Sequence, residues 1–201
     1  IKMENEFFSK IDYEILDEKV AYKGKRITVE ELHYKNPRTG DILYREHVLA
    51  GKAAIIMPLT NDNKLIMIKE PRTPIGINVL AFPAGMVENG ETPEDAALRE
   101  LEEETGYKAG KIKKIREEYT AIGYSNERIA IFLATDLVKT QRNLDETEDI
   151  EVVTIPLEEA KKLLAEGYIR TSSETIALMH YFLYEENKQN KANTTTNSMA
   201  G

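Results

Sequence analysis

The sequence predicts an α+β protein, a mixed β-sheet with few helices, preceded by a small antiparallel β extension. Three observations carry this. Short apolar runs of strand length, bounded by Gly, Pro, Asn and Asp, recur along most of the chain. A capped and strongly acidic helix interrupts them between Thr92 and Gly106. Two further helical stretches come only near the C-terminal end.

Taken in order, residues 11–22 alternate loosely, with Ile11, Tyr13, Ile15, Val20 and Tyr22 apolar, and Lys23-Gly24-Lys25 turns the chain. Ile27, Val29, Leu32 and Tyr34 continue a strand-like run. Asn36-Pro37-Arg38-Thr39-Gly40 is a turn, and Ile42-Leu43-Tyr44 opens the next strand. Residues 11–50 therefore read as an antiparallel meander, with Phe8 and Tyr13 expected in its core. The expected limits are 1–50 for this extension, 51–185 for the main domain and 186–201 for a polar, disordered tail.

Residues 53–59 form a continuous apolar run suited to a buried strand. The turn Asn61-Asp62-Asn63 and the following run 64–69 predict a β-hairpin. Residues 70–76 read as a loop, and 79–82 as a short strand delivering Pro83-Ala84-Gly85.

Then comes the acidic helix. Thr92 is its N-cap, Pro93 its first helical residue, and Asp95 completes a capping box. Gly106 suits a left-handed end. Ala97, Leu98 and Leu101 form the face that packs on the sheet. Glu100 and Glu104 share another face, with Glu103 at its edge.

Residues 111–119 and 127–135 are strands around the loop 120–126, residues 139–148 are an aperiodic polar loop, and 149–155 is a strand. Pro156 opens a helix through Gly167, and Ser172 caps another running to about Tyr184.

At 201 residues the chain can hold one domain with a proper core and a small appendage. Apolar residues make up 41% and charged residues 31%, the balance of a soluble globular protein. The net charge of −8 argues against nucleic acid or an anionic membrane as a partner. An anionic substrate would need a local basic pocket or a metal. With no cysteine, disulfides, thiolate catalysis and Cys-based zinc sites are excluded. No apolar stretch reaches membrane-spanning length, so a cytoplasmic location is expected. His33, His47 and His180 are too widely spaced to form a ligand pattern.

Three carboxylates on one side of a helix repel one another, by a few tenths of a kcal/mol for each i,i+4 pair. Such a face is stable when solvated or when a cation neutralises it. Mg²⁺ or Mn²⁺ suits these oxygen ligands. Gly85 would let backbone approach the same ions, with the Ala84 carbonyl as a further ligand. Arg99 and Glu91 are expected to pair, tying the preceding loop to the helix and keeping Arg99 away from the metals. A merely solvated charged face is the plainer alternative. The fixed set Gly85, Glu91, Arg99-Glu100, Glu103-Glu104 and Gly106 argues against it.

That set, Gly85-x5-Glu91-x7-Arg99-Glu100-Leu101-x-Glu103-Glu104-x-Gly106-Tyr107, resembles the signature box of the Nudix hydrolases. Tyr107 departs from it, being aromatic where an aliphatic residue is usual. The resemblance implies an α/β/α sandwich whose mixed sheet carries the box as loop–helix–loop. It also implies metal-dependent hydrolysis of a nucleoside diphosphate linked to another group.

Most of the chain is similar to the ADP-ribose pyrophosphatase branch of that family. Arg45-Glu46-His47, Arg72, Pro83-Ala84-Gly85, Met86 and the run from Leu144 to Glu151 carry this likeness. It implies that Glu100, Glu104, Glu148 and the Ala84 backbone are metal ligands, with Glu103 adjacent or shared. Glu103 and Glu104 would be catalytic with Glu146, the candidate general base. Arg45 and Arg72 would hold phosphates and Met86 would line the substrate site. Gly85, Glu91, Arg99 and Gly106 would be structural. A homodimer is implied, its extension helping to complete the site.

Two positions depart from the branch. Ala121-Ile122-Gly123 stands where Ser-Pro-Gly is common, and Ala81 where Glu is common. They leave the base and sugar open, with GDP-mannose or a dinucleoside polyphosphate as alternatives to ADP-ribose. A non-catalytic nucleotide-sugar sensor is the competing class. It is disfavoured because every box carboxylate is present.

Overall fold

A computed structural model of the chain describes residues 13–144 and 149–186. Two units divide the described residues: 13–51 with 121–127, and 52–120 with 128–144 and 149–186.

The first unit is a three-stranded antiparallel sheet of β1 (Glu14–Lys23), β2 (Thr28–Lys35) and β3 (Ile42–Leu49), in that order. β2 and β3 pair without a break from Thr28↔Leu49 to Lys35↔Ile42. Between them Asn36 Oδ1 accepts the Arg38 N–H at 2.9 Å, the side-chain turn that Asn favours. A sheet this small buries little. On the central strand Leu32 and Tyr34 are buried, whereas β1 is exposed along its whole length. Tyr13, expected in a core, is 42% exposed and lies against the Tyr34 ring at 4.5 Å. Phe8 lies outside the described residues. The segment 121–127 joins this unit at β3: Val48 N–H donates to Tyr124 O at 2.7 Å and Ala50 N–H to Asn126 Oδ1 at 2.9 Å.

The second unit runs β4 (Lys52–Pro58), β5 (Lys64–Arg72), β6 (Ile77–Ala81), β7 (Ala84–Met86), α1 (Pro93–Thr105), β8 (Tyr107–Tyr119), β9 (Arg128–Lys139), β10 (Glu151–Pro156), α2 (Leu157–Ala165) and α3 (Ser172–His180). A single π-helical turn, Tyr181–Glu185, follows. Its strands form a four-stranded sheet in the order β7-β4-β9-β8 and a three-stranded sheet in the order β10-β5-β6. β4 and β9 are parallel and the remaining pairs antiparallel, so the sheet is mixed.

The period of two explains the layers. In the β4–β9 register Ala54 faces Ala130 and Ile56 faces Phe132, and these pack with Ala96, Ala97 and Leu101 of α1. The alternate residues Ile55, Met57, Ile131 and Leu133 pack on the other side with Leu65 and Met67 of β5, Leu157 and Ala160 of α2, and Ala177 and Leu178 of α3. A strand buried on both faces must be apolar throughout, which is why residues 53–59 read as one continuous run. The result is the expected sandwich, with helices on both sides of a mixed sheet.

Five local expectations are corrected. The turn after β4 closes as expected, with Thr60 N–H donating to Lys64 O at 2.9 Å, but no hairpin follows. Both edges of β4 are taken by β7 and β9, so β5 leaves for the other sheet after one bridge, Leu59↔Leu65. The hairpin forms one strand later. Residues through Arg72 belong to β5 rather than to a loop, and β5 pairs with β6 from Ile68↔Ala81 to Arg72↔Ile77. On α1, Leu98 is half-buried and Ala96 takes its place against the sheet. The N-cap of α3 is Thr171, not Ser172, and regular α-helix stops at His180. Among the described residues no helix is long and apolar enough to cross a membrane.

Candidate active site

The site is organised by α1. At its start Thr92 Oγ1 accepts the Asp95 N–H at 3.2 Å and Asp95 Oδ2 accepts the Thr92 N–H at 3.3 Å, a complete capping box. At its end Gly106, at φ 71°, donates its N–H to Glu102 O at 2.8 Å. The last turn is held from outside. Asn143 N–H donates to Glu103 O at 3.2 Å and Thr140 N–H to Gly106 O at 2.7 Å. Arg142 Nε donates to Glu104 O at 2.6 Å and its Nη2 to Ile150 O at 2.7 Å. Carbonyls left free at a helix end are thereby satisfied, and a cation stands where the helix dipole is negative. The sequence has no signal for Arg142, because its partners are distant backbone atoms and its own stretch has no period.

Between these ends α1 turns its acidic face to β7. Glu100 and Glu104 are buried at 9% and 3% exposure. Burial of a side chain such as Leu101 contributes about 1.5–3 kcal/mol, against a few tenths for the repulsion of an i,i+4 carboxylate pair, so the apolar face prevails. Glu104 Oε2 accepts the Ala84 N–H at 3.0 Å. Gly85 lies so close that a Cβ on it would stand 1.7 Å from Glu100 Oε1. Only a glycine leaves room for that carboxylate.

Arg99 does what was expected and something more. Its Nε donates to Glu91 Oε1 at 2.9 Å, and its Nη2 to Glu91 Oε2 at 3.3 Å and to Met86 O at 3.1 Å. Glu91 Oε2 also accepts the Glu88 N–H at 3.0 Å, which ties the loop to the helix. But Nη1 donates to Glu100 Oε1 at 2.7 Å and to Glu103 Oε2 at 3.0 Å. The guanidinium is therefore not held apart from the acidic face. Its two Nη1 donors are free after Glu91 and Met86 are satisfied, and the adjacent carboxylates attract them. Among the described residues no three acidic or histidine side chains converge on one point. Arg99 stands between two of them and Glu104 turns to Ala84.

The hydrogen bond from Arg99 lowers the pKa of Glu91, and the same contact, with Glu100 and Glu103 adding to it, raises that of Arg99. A depressed carboxylate pKa stabilises the fold above the unfolded value, and this stability is lost as pH falls through the folded one. Glu91→Gln should therefore destabilise the protein at neutral pH by about 1–2 kcal/mol. In paired thermal melts across pH, the gap from the parent protein should close below about pH 4.

Ala84, Gly85, Met86, Glu91, Arg99, Glu100, Glu103, Glu104 and Gly106 are thus brought together around α1 and β7. Arg72 is in the same unit, at the end of β5, and is ion-paired with Glu70. Arg45 is on β3 in the other unit, its Nη1 donating to Tyr44 O at 2.8 Å and its guanidinium 6.0 Å from the Tyr34 ring. Glu146 and Glu148 lie outside the described residues.

Fold and box together define a class. Residues 50–176 match the NUDIX domain, and the chain belongs to that family. Within it the chain is 38% identical over 168 residues to the ADP-ribose pyrophosphatase of Bacillus subtilis (strain 168), covering 82% of this chain and 89% of that one. It is 33% identical over 162 residues to the methanol dehydrogenase activator of Bacillus methanolicus, covering 80% and 86%. A solved structure of an ADP compounds hydrolase superposes with a TM-score of 0.80 at 25% identity, covering 90% of this chain and 97% of that one.

Proposed function

We propose that this chain hydrolyses the pyrophosphate bond of ADP-ribose, adding water across one P–O bond to give AMP and ribose 5-phosphate. The observation that carries the reading is the contact of Gly85 with buried Glu100, beside buried Glu104, in a chain similar to an ADP-ribose pyrophosphatase along most of its length. A surface helix has no need of a glycine that makes room for a carboxylate. The all-oxygen donor set suits a hard divalent cation.

Glu100, Glu103, Glu104 and the Ala84 carbonyl would hold Mg²⁺ or Mn²⁺, which when bound neutralises the diphosphate and acidifies a coordinated water. The remaining roles belong to the chain. Arg99 keeps Glu91 and Met86 O through Nε and Nη2, contacts that persist when Nη1 yields Glu100 and Glu103. Arg142 holds the last turn that carries Glu104. Glu148 as a further ligand, Glu146 as general base, Arg45 and Arg72 as phosphate contacts and Met86 as part of the substrate site complete the reading. A cytoplasmic location and the absence of a nucleic-acid partner go with it.

The test is a panel of ADP-ribose, GDP-mannose, ADP-glucose, NADH and dinucleoside polyphosphates with Mg²⁺. ADP-ribose should be turned over fastest, releasing AMP and ribose 5-phosphate in equal amounts. A tenfold preference for another member of the panel overturns the substrate, and inertness toward all of them overturns the hydrolase.

The reading includes a homodimer. Tyr13, Ile15, Leu16, Val20 and Tyr22 are all more than two-fifths exposed, at 42, 56, 45, 53 and 58%. These apolar side chains are interspersed with charged ones along an exposed strand, and a second copy would cover them. Light scattering should give about twice the 22.9 kDa of one chain. A monomer at micromolar concentration overturns this part.

A further inference from the structure

The start of α3 breaks a local rule. Thr171-Ser172-Ser173-Glu174 is the pattern of a capping box, in which the two outer side chains bond each other's backbone. Thr92 and Asp95 make both of those bonds at α1. Thr171 makes no side-chain cap bond, and its Oγ1 is buried without a hydrogen-bond partner among the described residues. Glu174 is turned elsewhere. It is buried at 4% exposure, and its Oε1 accepts the Phe82 N–H at 3.3 Å, across 92 residues of chain.

A carboxylate in an apolar core is costly, and a cap left unmade adds to that cost. Both are understood from what Phe82 precedes. β6 ends at Ala81 and the Ala84 N–H faces Glu104, so Phe82 and Pro83 form the bridge between β6 and β7. Pro83 has no N–H to offer. The bridge is held at three successive residues by three different elements. Glu174 of α3 accepts from Phe82, Pro83 O accepts from Ile56 of β4 at 3.0 Å, and Glu104 of α1 accepts from Ala84 at 3.0 Å.

We propose that Glu174 is a positioning residue for the Pro83-Ala84-Gly85 segment, fixing the Ala84 carbonyl and the Gly85 backbone against Glu100 and Glu104. This rests on the metal-dependent reading above. What the position requires is a buried acceptor. The helix N-terminus favours a carboxylate there, and a side-chain amide supplies the same acceptor atom.

The test compares Glu174→Ala, Glu174→Gln and, as a control of helix capping, Thr171→Ala in the full chain. Without metal or substrate, amide exchange is followed over residues 77–86, and Mn²⁺ binding is measured by electron paramagnetic resonance. In Glu174→Ala, exchange of the Phe82 amide should rise at least tenfold and Mn²⁺ should bind about tenfold more weakly, as when a residue supporting a metal ligand is removed. Turnover of ADP-ribose should fall about 10–100-fold with KM changed less than about threefold. Glu174→Gln and Thr171→Ala should stay within about threefold of the parent in every measure.

The proposal is overturned if Glu174→Ala keeps its protection and Mn²⁺ affinity, or if Glu174→Gln falls as far as Glu174→Ala. Should Glu174→Ala lack a cooperative melt, the parent protein decides. A Phe82 amide as protected as those of β6 supports the proposal, and one exchanging like a free loop overturns it. If ADP-ribose is not a substrate, the exchange and Mn²⁺ measurements still decide, so the two readings fail separately.

Discussion

Glu104→Gln is expected to lower kcat for ADP-ribose about a thousandfold, close to 4 kcal/mol of transition-state stabilisation, in a protein that still folds. What the substitution keeps separates the loss of charge from a loss of packing. Glu104 is 3% exposed and its Oε2 accepts the Ala84 N–H at 3.0 Å. Glutamine has the same volume and retains a carbonyl oxygen for that bond, so the packing of α1 on β4 and β9 is undisturbed. The negative charge is lost, and a hard divalent cation requires it. Glu103→Gln should behave alike, with a smaller effect on stability because its side chain is 38% exposed. The measurement is kcat and KM with saturating Mg²⁺, beside a thermal melt. Parent-level turnover in a folded Glu104→Gln protein would falsify the mechanism.

Gly85→Ala carries the second large effect, by a different route. Gly85 is not among the residues with left-handed backbone, so alanine meets no conformational strain there. Contact alone decides. The new Cβ would lie 1.7 Å from Glu100 Oε1, 2.2 Å from Cδ and 2.9 Å from Cγ. These are the far atoms of a flexible side chain, which can swing aside at modest cost to stability. The carboxylate then no longer stands against the Gly85 backbone and Arg99 Nη1. Turnover should fall about 10²-fold or more, since a displacement of about 1 Å at a reacting centre has that consequence. The melting temperature should move by only a few degrees, in line with about 1 kcal/mol. Mn²⁺ affinity should fall in parallel with kcat. Loss of the cooperative melt would show that Gly85 serves the fold, and unchanged turnover would show that Glu100 does not serve the reaction.

Much of this was legible in the amino-acid order, for reasons particular to each element. The start and end of α1 were readable because Thr92, Pro93, Asp95 and Gly106 act on atoms within one turn of themselves. β4 and the middle of β9 were readable because a stretch covered on both faces has no polar position to confuse its pattern, whereas β9 runs on past its expected end at 135 through Asp136 to Lys139. The family box was readable because several charged and glycine positions recur at set spacings. The hairpin between β4 and β5 was misread because their turn is genuine and only the competition for the edges of β4 sends β5 away. Tyr13 was misread because its apolar character says nothing of whether its sheet has a cover.

At the site the division follows the range of the interaction. By itself the sequence determined which residues are acidic, which helix carries them, where that helix begins and ends, and that Glu91 answers Arg99. Each of these follows from chemistry repeated every turn or from opposite charges brought close by a short loop. Only the tertiary structure decided that Arg99 also reaches Glu100 and Glu103, that Gly85 makes room for Glu100, that Arg142 holds the end of the helix, and that Glu174 leaves its own helix cap for Phe82. A buried donor or acceptor takes the partner that packing places within about 3 Å of it, and that partner is chosen by the folding of distant segments.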